Sequence, residues 1–274
     1  MRLIFLILLG VLVSACSVTP ELEEIPVPQV TNTAQSSDSE KKTEIIETPG
    51  NEVSAVTSQP GNGENLTLTT SDGVKLVVDF YTPESLIDKP DVLILVHEAY
   101  LDRSSWDGFT IAAQENGYAV ITLDLRGHGQ SGGDLVFDEA MDHDIDAVLD
   151  WISASPDLNV DRVAIAGASV GANLALRAGA RHPQIKSLVL LSPGMNYWEI
   201  GIENAILDYG RRPLLLVASE GDAYSATSVQ RLNEIGRGYD KLVIFPGAAH
   251  GTEMIRGQPD LSLLMLDWFQ QTMD

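Results

Sequence analysis

Six short apolar runs, spaced by amphipathic stretches, constrain the fold of this chain more than any other feature of its sequence. Val92 to Val96, Ala119 to Leu123, Val163 to Ala166 and Leu188 to Leu191 are nearly continuous in apolar residues, and Leu214 to Val217 and Leu242 to Phe245 continue the series. A strand with one wet face alternates apolar and polar residues, so continuous runs imply strands covered on both faces. Helical patterns separate them: Trp106 to Asn116, Asp138 to Ser153, Val170 to Arg181, Ala226 to Ile235 and Leu261 to Thr272. In the second, Ile145, Val148, Leu149 and Ile152 share one face, while Asp142, Asp146 and Asp150 recur on another, which reads as a solvated acidic face. This alternation predicts an α/β fold with a mostly parallel central sheet flanked by helices on both faces. Asn65 to Thr70 and Lys75 to Tyr81, around the turn Ser71-Asp72-Gly73, add an antiparallel hairpin. No internal repeat interrupts the scheme, which excludes solenoids and propellers.

The pattern begins only near residue 64, and what precedes it is of two kinds. Arg2, the apolar run Leu3 to Leu9, Gly10, Val11 to Val13 and the small-residue stretch Ser14-Ala15-Cys16 read as a secretory signal sequence over residues 1–16. The run is shorter than the roughly 20 apolar residues a spanning helix needs. Residues 17–63 are rich in Pro, Ser, Thr, Glu and Gln without apolar periodicity, so they cannot bury enough surface to offset their ordering entropy and read as a disordered spacer. Residues 64–274 are then left as one domain. Cys16 is the sole cysteine, which rules out an intramolecular disulfide. A net charge of −22 argues against nucleic acid or an anionic lipid surface as a partner, because such binding is driven by Lys and Arg.

Ligands in parallel sheets bind beyond the carboxyl ends of the strands. Directly after Val163 to Ala166 comes Gly167-Ala168-Ser169-Val170-Gly171, and a helical stretch follows at once. The turn is so tight that side chains at the two glycines would collide with neighbouring backbone, while the serine is thrust above the sheet. Ser169 is therefore the candidate nucleophile. Serine needs a base to take its proton and the base needs a carboxylate to hold its tautomer. Of five histidines, His250 follows a strand in a loop of small residues, Pro246-Gly247-Ala248-Ala249-His250-Gly251. Asp222 stands just past Leu214 to Val217, with Glu220 as the alternative acid and capping of the next helix as the alternative role for Asp222. His128, His143 and His182 read as structural. The order Ser, Asp, His matches the one expected of a nucleophile on such an elbow. Two amides should hold the developing oxyanion: that of Val170, after the nucleophile, and that of Ala99, in the loop after Val92 to Val96, where Glu98 and Tyr100 are one residue away.

Val96-His97-Glu98-Ala99, Asp124-Leu125-Arg126-Gly127-His128-Gly129-Gln130-Ser131-Gly132 and Gly167-Ala168-Ser169-Val170-Gly171 together resemble the α/β-hydrolase superfamily, most closely its small esterase and dienelactone-hydrolase-like members, from about Glu64 to the carboxyl terminus. In that family the loop after this strand usually begins His-Gly; here Glu98 replaces the glycine. Relatives often insert a helical cap where this chain has only Ser192 to Pro213, so little or no cap and a shallow, open site are expected. Met195, Tyr197, Trp198, Ile200 and Ile202 in that segment could wall an acyl pocket or pack on the core. The resemblance implies a serine hydrolase acting on a small carboxylic ester or thioester, with no cofactor and no metal. A peptidase or amidase using the same residues, and a non-catalytic binding protein retaining the fold, are the alternatives. Val13-Ser14-Ala15-Cys16 resembles a bacterial lipobox, which implies lipidation of Cys16 and an exported, membrane-anchored protein; plain secretory cleavage after Ala15 is the alternative.

Overall fold

Apart from the first hairpin, the strands of the central sheet run parallel to one another, which brings their carboxyl ends, and the loops leaving them, to one edge. The computed structural model describes residues 63–83, 88–238 and 240–273, all within one unit of the chain, 55–274. The expected signal sequence, Cys16 and almost all of the spacer lie outside the described residues.

The strands are β1 (Glu64–Thr69), β2 (Lys75–Tyr81), β3 (Val92–Val96), β4 (Ala119–Leu123), β5 (Val163–Ala168), β6 (Ile185–Leu191), the short β7 (Asn196–Tyr197) and β8 (Ile200–Gly201), β9 (Leu214–Ser219) and β10 (Asp240–Phe245). Eight form one sheet in the order β1-β2-β4-β3-β5-β6-β9-β10, antiparallel only at β1–β2 and β2–β4, while β7 and β8 pair as a separate hairpin. The helices are α1 (Asp107–Glu115), α2 (Asp142–Ser153), α3 (Val170–Arg181), α4 (Glu203–Tyr209), α5 (Ala223–Ile235), α6 (Glu253–Gly257) and α7 (Pro259–Thr272).

Alternate residues of β3 enter two different cores. Val92, Ile94 and Val96 join a cluster with Ile145 of α2, Leu174 of α3, Ile206 of α4 and Val229 of α5, whereas Leu93 and Leu95 meet Phe109 of α1 and Phe269 of α7. The sheet is thus covered on both faces, as the unbroken apolar runs require. Each fully buried aliphatic side chain contributes roughly 1.5–3 kcal/mol, so a polar residue anywhere in β3 would be costly. No helix among the described residues is long and apolar enough to cross a membrane.

The structure departs from the sequence-based expectation in four places. β10 forms the sheet's edge and is half-buried, not covered on both faces. α5 starts at Ala223, three residues earlier than expected, because the Asp222 side chain caps it through the Ser225 amide. Residues 192–213 hold the β7–β8 hairpin and α4, and α6 stands where no helix was expected. The acidic face of α2 is not simply solvated: Asp142 pairs with Arg177 at 2.6 Å and with Arg181 at 3.0 Å, and Asp146 with Arg181 and His182 at 2.8 Å, because α3 lies alongside and turns its basic residues towards it.

Candidate active site

The elbow between β5 and α3 has the strain its sequence implies. Ser169 sits at φ 52°, ψ −119°, a conformation side chains disfavour. A Cβ on Gly167 would lie 2.5 Å from the carbonyl carbon of Gly171, and one on Gly171 would lie 2.5 Å from the Val96 oxygen at the end of β3. Both glycines are therefore required by backbone packing. The Ser169 amide donates to the Leu191 oxygen at 2.8 Å, tying the elbow to the end of β6. Only 6% of Ser169 is exposed.

His250 follows β10, and its Nδ1 donates to Asp222 Oδ2 at 2.6 Å. Asp222 is thus both helix cap and histidine partner, its second oxygen accepting from the Ser225 amide at 3.3 Å. Burial pushes the Asp222 carboxyl up, but the hydrogen bonds from Ser225 and His250 outweigh it, and the net shift is downward. Glu220, the alternative acid, is exposed. Ser169 and His250 border the same side chain, Tyr197: its hydroxyl interacts with that of Ser169, and its ring stands 6.4 Å from the imidazole, edge-on. The Tyr197 hydroxyl also donates to the Ser192 oxygen at 3.2 Å and lies 3.1 Å from Ser225 Oγ.

The loop after β3 is shaped by His97. Its Nε2 accepts from the Leu125 amide at 3.0 Å, so Nδ1 carries the proton and donates to the Glu98 oxygen at 2.6 Å. With the Glu98 carbonyl turned inward, the trans peptide sends the Ala99 amide the opposite way, out of the buried side. The Val170 amide is the first of α3 and has no acceptor within its own helix. Burial holds His97 neutral by pushing its pKa down to about 4.

Two further side chains fix the histidine loop. Ser192 Oγ accepts from the Gly251 amide at 3.1 Å, and Glu98 Oε1 accepts from the amide and hydroxyl of Thr252 at 3.2 and 2.9 Å. Glu98, the residue in place of a glycine, thus bridges the loop after β3 to the loop after β10. Its signal in the sequence was that substitution, but nothing local identifies the partner. In the 192–213 segment the two alternatives divide by residue: Ile200 and Ile202 are fully buried in the core, whereas Tyr197 and Trp198 belong to an aromatic group beside the elbow. A cavity of about 780 Å³ opens between Tyr100, Phe109, Thr252 and Arg256.

Comparison with known proteins agrees with this architecture. Residues 72–272 match the family described as X-Pro dipeptidyl-peptidase (S15 family). An uncharacterized protein of Mycobacterium tuberculosis is 26% identical over 215 residues, 72% of this chain and 75% of that protein. A monoacylglycerol lipase of Mycolicibacterium smegmatis is 32% identical over 130 residues, 45% of this chain and 44% of the lipase. Among solved structures, an esterase of Pyrococcus furiosus superposes with a TM-score of 0.67 at 19% identity, over 78% of this chain and 92% of the esterase. A dienelactone hydrolase of Anabaena variabilis gives 0.65 at 20% identity, over 79% of this chain and all of the hydrolase.

Proposed function

Because this chain belongs to the X-Pro dipeptidyl-peptidase (S15) family and has the α/β-hydrolase fold, we propose that it is a serine hydrolase in which Ser169, His250 and Asp222 cleave a carboxylic ester through an acyl-enzyme. The observation that carries this reading is the 2.6 Å bond from His250 Nδ1 to Asp222 beside a serine held on a strained elbow. With its Nδ1 proton committed to Asp222, the imidazole keeps Nε2 free to accept the Ser169 proton.

Ser169 Oγ attacks the acyl carbon as its proton passes to His250, and the Ala99 and Val170 amides take the charge that forms on the carbonyl oxygen. His250 returns the proton to the departing alcohol. Water then enters, gives a proton to the same nitrogen, and releases the acid. Losing one oxyanion donor typically lowers kcat by about 10²–10³-fold.

The family's name favours a second reading, a peptidase acting on an amino-terminal dipeptide. Such a substrate brings a cationic amine that needs a free carboxylate. Asp222 is engaged by His250 and one oxygen of Glu98 by Thr252, and aromatic side chains are exposed in the same loops. That supports a neutral acyl group, as does the likeness to a lipase. Labelling with a fluorophosphonate, on wild type and Ser169→Ala, tests the nucleophile. Turnover of acyl esters against aminoacyl-prolyl amides tests the class. Adduct on the Ser169→Ala protein, or faster amide than ester cleavage, overturns the proposal. We further propose that Cys16 is lipidated and tethers the domain to a membrane on the exported side; the intact mass of detergent-extracted protein, with Cys16→Ala beside it, tests that.

A further inference from the structure

Seven large apolar side chains are exposed among the described residues, and only Leu263 stands apart from the carboxyl edge of the sheet. The other six, Tyr100, Leu101, Leu135, Val136, Trp198 and Tyr224, lie in or beside the loops leaving β3, β4, β6 and β9. A contiguous set of exposed apolar groups on one face marks a binding surface; scattered ones do not. Tyr100 and Trp198 touch one another and the half-buried Phe137. Phe137 and Trp198 stack with centroids 4.0 Å apart and planes at 10°, and Tyr100 stands edge-on to both, at 5.7 and 6.4 Å. Trp198 continues to Tyr197 at 6.2 Å, and Tyr197 to His250 at 6.4 Å.

Backbone strain is concentrated in the same place. Among the described residues, five other than glycine have positive φ: Lys89, Tyr100, Ser169, Ser192 and Trp198. Ser169 is the elbow and Ser192 holds the histidine loop; Tyr100 and Trp198 are the two exposed rings. Trp198 opens the two-residue turn of the β7–β8 hairpin, a position suited to Asn or Gly, at φ 54°. A bulky ring is thus held where the backbone disfavours it and is left half-exposed, although it stacks on Phe137.

We propose that Tyr100, Phe137 and Trp198 bind the acyl part of the substrate, and that this part carries a flat aromatic or conjugated group. The proposal rests on the reading of Ser169 as nucleophile. The leaving group must end within reach of the proton on His250, whereas two rings, Tyr197 and Trp198, separate Phe137 and Tyr100 from that imidazole, which assigns them to the acyl part. A planar π group gains stacking and edge contacts on these rings that a saturated ring of the same area does not. That difference is worth about fivefold in kcat/KM.

The test compares p-nitrophenyl phenylacetate with p-nitrophenyl cyclohexylacetate, using p-nitrophenyl acetate as the reference. Wild type should favour the phenyl over the cyclohexyl ester by about fivefold, and Trp198→Asn and Phe137→Leu should bring that ratio close to one. Trp198→Asn relieves the turn, so its Tm should hold or rise while the preference disappears; a structural prop would give the opposite. A second readout needs no catalysis: phenylacetate should change the tryptophan fluorescence of Ser169→Ala protein, and Trp198→Asn in that background should abolish the change. If the ester assays are silent and Ser169 takes no fluorophosphonate, the hydrolase reading fails, and the fluorescence titration still decides the aromatic site. A preference for the cyclohexyl ester, an unchanged ratio in both variants, or no Trp198-dependent fluorescence response overturns the proposal.

Discussion

Replacing Glu98 by alanine should uncouple two loops that this side chain's carboxylate joins. Glu98 is 8% exposed and Thr252 2%. Oε1 accepts two bonds from Thr252, while Oε2 has no partner among the described residues. Truncation leaves a buried amide and a buried hydroxyl unsatisfied, each costing about 1–3 kcal/mol. It also removes a buried carboxylate with a bare oxygen, whose desolvation offsets part of that loss. A net destabilisation of about 2 kcal/mol follows, or a Tm lower by about 4–8 °C for a domain of this size. The effect on catalysis should exceed the effect on stability. Thr252 is two residues from His250, and a displacement of about 1 Å at a reacting group costs about 10²-fold. Glu98→Ala should therefore lower kcat on an acetate ester far more than it changes KM. Glu98→Gln keeps the Oε1 acceptor and should restore most of kcat. Thermal unfolding and steady-state kinetics on the three proteins suffice. If Glu98→Gln is as slow as Glu98→Ala, Glu98 acts through its charge, and its role as a tether between the two loops is refuted.

Asp222→Asn should retain the fold, since asparagine still caps α5, yet lose about 10⁴-fold in kcat because the amide favours the tautomer that leaves Nδ1 unprotonated; a loss below tenfold in single-turnover ester hydrolysis would remove Asp222 from the role. His97 gives a pH dependence of stability. Its pKa is about 4 folded against 6.5 ordinarily, so below pH 6.5 the unfolded chain binds a proton the native state refuses, and stability falls as pH drops towards 4. At about 1.4 kcal/mol per unit that loss amounts to about 3 kcal/mol. Urea titrations of wild type and His97→Gln at pH 7 and pH 4 should differ in slope by that amount, and parallel slopes would count against it.

What the sequence discloses is what local chemistry encodes. The buried strands are legible because a strand covered on both faces tolerates few polar residues, and the elbow because Gly167 and Gly171 leave no room for Cβ atoms. Asp222 and His250 are legible because each follows a strand that must end at the same edge. The rest depends on partners far apart along the chain. Glu98 reaches Thr252 across 154 residues, and no periodicity connects them. The edge position of β10 depends on strand order, which apolar content does not record. Trp198 is harder still, because a hairpin turn is expected to carry Asn or Gly, so residue preference points away from the observed structure.

That same misfit ties the strain to chemistry. A parallel sheet delivers its strands rigidly, so whatever adjusts to a substrate must lie in the loops beyond them. In those loops four non-glycine residues are held at positive φ, and no two of these backbones serve the same end, except that Tyr100 and Trp198 both project rings. Ser169 presents a hydroxyl, and Ser192 binds the histidine loop. Selection for stability alone would replace most of them with glycine or asparagine. Their presence in one band, above a core with no such residues, is what a chain shows when the edge of its sheet is shaped by a ligand and the remainder by packing.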